Sequence, residues 1–251
     1  LFSSNEWKTY SPFLKKYLLK NKFNPKILIN CSENFQDDIK YIIYSPNSNL
    51  QNFQVFPNLK AVLSLWAGVE KIVKNKTLNV PLVRLIDKDM TQGMIEWCTA
   101  HILRYHLETD RYVLNKNKNW DSEFFPSLSR QKNIGILGYG TLGKAVGKKL
   151  KKFGFNVFGW TKRKKSFQKK INLFNGNEGL NEMLPNIDIL LILLPLTKYT
   201  ENIVNKDIFK LLKKNCYVIN AGRGQVLNDK DLLDYLNNDH IKHATLDVFN
   251  E

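Results

Sequence analysis

Residues 133–150 read Asn133-Ile-Gly-Ile-Leu137-Gly138-Tyr139-Gly140-Thr141-Leu142-Gly143-Lys-Ala145-Val146-Gly-Lys-Lys-Leu150. The run 133–137 is a short apolar strand. It passes through a G-x-G-x-x-G turn into a helix whose apolar face is Leu142, Ala145, Val146 and Leu150. The three glycines serve different ends. Gly138 permits the tight turn, Gly140 lets bare backbone approach a pyrophosphate, and Gly143 lets helix and strand pack closely. Phosphates would rest on the helix N-terminus, where unpaired N–H groups and the helix dipole both favour negative charge. Glycine-rich turns are common, so the motif is weak alone. What strengthens it is a strand before it and a helix after it.

Working outward, 251 residues suffice for one large or two ordinary domains. The chain begins at Leu1, which reads as a trimmed N-terminus. The longest apolar run, 189–194, is far short of the roughly 18–20 residues of a membrane span, and no leader opens the chain. No membrane association is expected, and a cytoplasmic location is. Cys31, Cys98 and Cys216 show no ligand spacing, which fits reduced, buried structural thiols and no metal. The net charge of +15 raises the question of nucleic acid. The lysines are scattered among abundant Asn and Ile, however, and read as compositional bias. No nucleic acid is expected, and the basic surface favours small anionic ligands.

Before the glycine turn, apolar runs at 26–30, 39–44, 59–65 and 82–86 alternate with helical segments, the pattern of a parallel sheet covered on both faces. The third run ends in Trp66-Ala67-Gly68, a position where open parallel sheets bind ligands. The same residues serve equally as a core tryptophan and a turn glycine. A long helix over 89–107 connects to the second sheet, with domains expected at 1–92 and 93–251. His101 and His106 lie five apart on it and read as ordinary helix histidines rather than paired ligands. The polar stretch 115–129 carries Trp120, Phe124 and Phe125, which fit either contact with a partner subunit or local packing.

After the glycine turn, a strand at 156–160 ends in Trp160-Thr161-Lys162-Arg163-Lys164-Lys165-Ser166. In this architecture a carboxylate at that strand end selects NAD, whereas hydroxyl and cationic groups accommodate a 2′-phosphate. No Asp or Glu occurs between Gly138 and Gly176. NADP(H) is therefore expected in preference to NAD(H). Further strands at 188–194, 216–220 and 243–248 end in Leu194-Pro195 through Thr200, in Ala221-Gly222-Arg223-Gly224, and in Asp247. Arg223, set between glycines, suits bidentate binding of a carboxylate; pairing with a neighbouring acid is the alternative. Asp247 suits either a nicotinamide carboxamide or a structural capping role.

Taken together these motifs resemble the D-2-hydroxyacid dehydrogenase family, most closely its glyoxylate/hydroxypyruvate reductase A group. The carriers are the glycine turn from Ile134 to Gly143, Trp160-Thr161 with Lys165-Ser166, the Leu193 to Thr200 segment, Asn220-Ala-Gly-Arg-Gly224 and Leu246-Asp-Val-Phe-Asn250. They cover about residues 55–251. The resemblance implies an α/β chain of two doubly wound parallel-sheet domains, a Rossmann dinucleotide-binding domain and a smaller flavodoxin-like substrate domain, incomplete at its C-terminus.

It also implies reduction of a small 2-oxo acid with NADPH. The cofactor would lie against Gly138 through Gly143, Trp160 through Lys164, Leu194, Pro195, Thr200, Ala221, Gly222 and Asp247. Arg223 would hold the substrate, helped by backbone N–H groups of Trp66, Ala67 and Gly68, in a homodimer. The bulk of Trp66 suggests a tight pocket. The family's catalytic histidine and glutamate are not found. Glu251 falls one place before the glutamate's position, and His240 and His243 are read as lying at the end of the last strand far from the site. The chain is accordingly read as truncated. Two other readings are a dinucleotide-sensing corepressor-type protein on the same fold and a catalytically incomplete remnant.

Overall fold

The computed structural model describes residues 1–29, 33–114, 122–162 and 172–250. The chain divides into two compact units, Leu1–Asp87 and Lys88–Glu251.

The first unit holds β1 (Phe2–Ser3), α1 (Trp7–Lys20), β2 (Tyr41–Tyr44), β3 (Ala61–Ser64) and β4 (Leu82–Val83). The four strands are parallel and lie in chain order, with Ile42 beside Val62 and Val62 beside Leu82. Their core on one face is Ile39, Ile42, Tyr44, Phe53 and Val62 with neighbours. The run at 26–30 is not a strand over its described residues: 26–29 is irregular, and Ile29 is 44% exposed. The edge place is taken by β1, whose Phe2 pairs with Ile43 and is buried against α1, 1% exposed and edge-on to Trp7. The Phe2 N–H donates to the Leu28 carbonyl at 2.8 Å, so the expected segment runs alongside without joining the ladder.

The second unit comprises α2 (Lys88–Leu107), α3 (Asp110–Val113), β5 (Asn133–Leu137), α4 (Thr141–Lys152), β6 (Asn156–Thr161), β7 (Asn172–Asn175), α5 (Gly176–Met183), β8 (Ile189–Ile192), α6 (Lys206–Leu211), β9 (Cys216–Asn220), α7 (Asp229–Asn237) and β10 (Ile241–Leu246). All six strands are parallel, in the order β10-β9-β8-β5-β6-β7. The order reverses between β5 and β8, and crevices at such reversals are where open α/β sheets bind ligands. Alternation explains the unbroken apolar runs. Ile134, Ile136, Ile189, Leu191 and Ile219 face α2 and α4, while Leu137, Leu190, Ile192 and Val218 face α5, α6 and α7.

Strand β7 was not among those expected, since Leu173-Phe174 between two asparagines is too short to show a period. The last strand runs over Ile241–Leu246 rather than the expected 243–248, and His243 within it has its Nδ1 2.8 Å from the Tyr105 hydroxyl. Both His243 and the preceding His240 thus stand toward the amino end of β10.

The side chain of Tyr139 is 2% exposed and wedges beneath the glycine turn. A Cβ on Gly159 would lie 2.5 Å from its ring, and one on Gly147 2.7 Å from its hydroxyl. Two glycines outside the motif are therefore demanded by a tyrosine within it. That hydroxyl has no hydrogen-bond partner among the described residues, and burial pushes it above the usual tyrosine range. An unsatisfied buried hydroxyl is a net cost. Tyr139→Phe should raise unfolding free energy in urea by about 1 kcal/mol, and Gly159→Ala should lower it by about 1–3 kcal/mol through overpacking. A destabilised Tyr139→Phe would show that the hydroxyl has a partner.

Candidate functional site

The carboxyl end of β5 is built from backbone. Gly138, at φ +102°, has the Leu193 carbonyl oxygen 2.7 Å from where a Cβ would stand, and the Gly143 Cβ position abuts the Gly138 carbonyl oxygen. The Gly138 and Tyr139 N–H groups both donate to the Trp160 carbonyl, at 3.1 and 2.9 Å, and the Gly140 N–H donates to the Gly138 carbonyl at 2.8 Å. The first helical bond of α4 runs from the Lys144 N–H to the Gly140 carbonyl, and Gly140 provides no side-chain cap. The N–H groups of Thr141, Leu142 and Gly143 therefore have no acceptor among the described residues. A Cβ on Gly140 would meet nothing within 4 Å, so the protein's own packing does not demand glycine there. Open space beside three unspent donors at a helix N-terminus fits a phosphate.

At the end of β6 the Trp160 side chain turns inward, 2% exposed, with Nε1 donating to the Gly176 carbonyl at 2.9 Å. Thr161 is buried. Lys162 is exposed, with its ammonium 3.1 Å from the centroid of the Tyr199 ring. Arg163, Lys164, Lys165 and Ser166 lie outside the described residues. After β8, Leu194 is buried and Pro195 exposed. The Thr200 hydroxyl accepts from the Thr197 N–H at 2.8 Å and donates to the Pro195 carbonyl at 2.6 Å, so it fastens its own loop.

After β9, the buried Asn220 shapes the turn that carries Arg223. Its Oδ1 accepts from the Gly222 N–H at 3.1 Å and its Nδ2 donates to the Arg223 carbonyl at 3.2 Å. Sequence reasoning gave Asn220 no role, although an asparagine before Ala-Gly is a turn signal. Ala221 is buried, and the Gly222 Cβ position lies 2.6 Å from the Leu194 carbonyl oxygen. Arg223 is half-buried, with Nη1 donating to the Gly222 carbonyl at 2.7 Å. Asp247, exposed beyond β10, is tied by its N–H to the Asn220 carbonyl at 2.9 Å. Its carboxylate acts on α2: burial first, then Asp247, pushes the Cys98 thiol up to about 12. His101 is held below the usual histidine range by burial and Arg104, partly offset by Asp247.

In the first unit, Trp66 is 44% exposed beyond β3. The Ser64 hydroxyl accepts from the Trp66 N–H at 3.1 Å and donates to its carbonyl at 3.0 Å. Of the three backbone donors expected in this loop, that of Trp66 is thus already used, and those of Ala67 and Gly68 have no acceptor among the described residues.

Among the described residues no group of His, Cys, Asp and Glu could hold a metal ion, and no helix is long and apolar enough to cross a membrane. A cleft of about 520 Å³ opens between Asn133, Lys151, Phe155, Asn156 and Asn172. It lies at the amino ends of β5, β6 and β7, opposite the glycine turn, where parallel sheets do not bind their ligands.

Residues 97–251 match the D-isomer specific 2-hydroxyacid dehydrogenase, NAD binding domain, family. The chain is 38% identical over 200 residues to glyoxylate/hydroxypyruvate reductase A of Yersinia enterocolitica, covering 77% of this chain and 64% of that one. It therefore spans somewhat under two thirds of that relative's length. A D-isomer specific 2-hydroxyacid dehydrogenase of Xanthobacter autotrophicus, solved with NADPH and MES, superposes with TM-score 0.80 at 30% identity, covering 89% of this chain and 70% of that one. The NADPH-dependent glyoxylate/hydroxypyruvate reductase of Sinorhizobium meliloti, solved with NADP and sulfate, does so with TM-score 0.77 at 30% identity, covering 96% and 78%.

Asn220→Ala should cost about 1–3 kcal/mol in urea unfolding, because the Gly222 N–H, buried on the same turn, loses its acceptor. An unchanged midpoint would show that the turn stands without this side chain.

Proposed function

The chain belongs to the D-isomer specific 2-hydroxyacid dehydrogenase family, and from that premise we propose that it binds NADP(H), in preference to NAD(H), along the carboxyl ends of the second sheet and reduces a small 2-oxo acid of the glyoxylate/hydroxypyruvate kind. The observation that carries the reading is the set of unspent N–H groups at Thr141, Leu142 and Gly143 beside the open face of Gly140. This surface fits a dinucleotide diphosphate in shape, polarity and dipole.

Support for the 2′-phosphate comes from the sequence after β6, where no acid occurs and Lys162 opens a run of cations including Arg163 and Lys164. The NADPH and NADP complexes of two relatives agree with it. Trp160 and Tyr139 serve as buried supports for the turn, and Thr200 as the fastening of the loop after β8. Gly222, packed on the Leu194 carbonyl, brings backbone rather than side chain to the rim. Asp247, next to α2, suits a carboxamide N–H.

Arg223 supplies a planar, permanently charged fork suited to a carboxylate. Its bond to the Gly222 carbonyl sets the guanidinium before substrate arrives, which lowers the ordering cost of binding. A nicotinamide cofactor, when bound, supplies the hydride. The proton donor is not assigned to a described residue. His240 Nε2 is bonded to the Leu212 carbonyl and His243 Nδ1 to Tyr105, both toward the amino end of β10. The backbone donors of Ala67 and Gly68 are assigned to the substrate's carboxylate. The reading extends to a cytoplasmic homodimer, which Phe125, 82% exposed, supports as an apolar contact.

Fluorescence titration tests the cofactor. Hydrogen bonds to a charged group contribute about 1.5–3 kcal/mol, so NADPH should bind about 10–100-fold more tightly than NADH. Tighter NADH binding would overturn the preference. Gly140→Ala should leave thermal unfolding within about 0.5 kcal/mol, as for a position without packing neighbours, yet weaken NADPH binding at least about tenfold. Unchanged binding would remove the diphosphate from the α4 N-terminus. In an NADPH oxidation assay with glyoxylate, hydroxypyruvate and pyruvate, Arg223→Ala should abolish turnover while NADPH still binds. Retained turnover would contradict its role.

A further inference from the structure

Two cations from different loops converge on one aromatic ring at the rim of the second sheet. The Lys162 ammonium, just past β6, is 3.1 Å from the centroid of the Tyr199 ring, and that of Lys198 is 4.9 Å from it. Neither has an acidic partner among the described residues. In the sheet, β5 lies between β6 and β8, so a contact from the end of β6 to the loop after β8 spans the tip of β5, where the glycine turn stands.

The two partners differ in how firmly they are held. Tyr199 sits on a loop fastened by Thr200, with its own N–H 3.3 Å from the Thr197 hydroxyl. Lys162 is a flexible, strongly hydrated point charge on a four-carbon stem. An exposed lysine gives little selectivity unless something orders it, and an aromatic face at this distance does so by cation–π attraction. Two ammonium groups sharing a ring also repel each other, and an anion between them relieves that repulsion.

Resting on the NADP(H) reading above, we infer that Tyr199 is a positioning residue for cofactor selectivity: its ring holds the Lys162 ammonium where the adenosine 2′-phosphate is read. Tyr199 carries no charge of its own, and its effect is transmitted through Lys162. Its exposure of 58% means that replacing it costs the fold little. The phenol hydroxyl plays no part, so phenylalanine should serve as well.

The test is a set of NADPH and NADH titrations on the protein and its Tyr199→Leu, Tyr199→Phe, Lys162→Gln and Lys162→Gln/Tyr199→Leu variants. Tyr199→Leu should weaken NADPH about two- to fivefold, the range of an exposed cation–π contact, and leave NADH unchanged. Tyr199→Phe should match the unsubstituted protein. With Lys162→Gln already present, Tyr199→Leu should add nothing. Equal loss for both cofactors would mean that the ring stacks on adenine and would overturn the inference, as would an undiminished effect in the Lys162→Gln background or failure of phenylalanine to restore binding. If the unsubstituted protein binds neither cofactor or prefers NADH, the functional reading falls and this inference falls with it. Selective NADPH binding that no Tyr199 variant alters overturns the inference alone.

Discussion

At Gly138 and Gly143, around the tip of β5, there is room for backbone and nothing else. Gly138 is pressed against the Leu193 carbonyl on one side and Gly143 on the other, while the Trp160 carbonyl accepts the N–H groups of Gly138 and Tyr139. Three neighbouring strands and one helix are thereby locked together without a side chain at the contact. This closeness determines where α4 begins. Since the turn spends its own donors on Trp160 and Gly138, the donors left over are those of the first helical turn, and they open toward the free side of Gly140. The parallel order of the sheet brings the carboxyl ends of β6, β8 and β9 to the same rim.

The functional reading follows from what that rim has left to offer. Three of the residues against which the cofactor is expected to lie also hold the scaffold together: Tyr139 and Trp160 are buried, and Thr200 is bonded within its loop. Backbone N–H groups at α4 have no acceptor among the described residues, Lys162 stands past β6, and Arg223 lies on a turn organised by Asn220. Backbone N–H groups and cations suit diphosphate, phosphate and carboxylate groups alike.

Much of this was legible from residue order. The glycine spacing located the turn, and the apolar strands expected at 188–194 and 216–220 stand at 189–192 and 216–220, buried on both faces. The helix over 88–107 lay within one residue of its expectation. Elements too short for a period were not legible: β1 has two residues, and β7 offers only Leu173-Phe174 as an apolar pair. Roles set by long-range contact were hidden as well. Nothing in the order of residues says that Gly147 and Gly159 make room for Tyr139, that Ser64 spends the Trp66 N–H, or that the start of β10 lies upstream of His243. Local signals reported the turn chemistry, and the tertiary fold decided which side chains were free to use it.

Three amides at the start of α4 are the seat assigned to the diphosphate, so the most direct measurement is their behaviour when cofactor is added. Backbone amide NMR with hydrogen exchange should show the Thr141, Leu142 and Gly143 signals shifting and gaining protection on saturation with NADPH, with NADH acting at the same amides at higher concentration. If those three signals stay unmoved while residues around Asn133 and Asn156 respond, the cofactor binds at the opposite end of the sheet and the account is wrong.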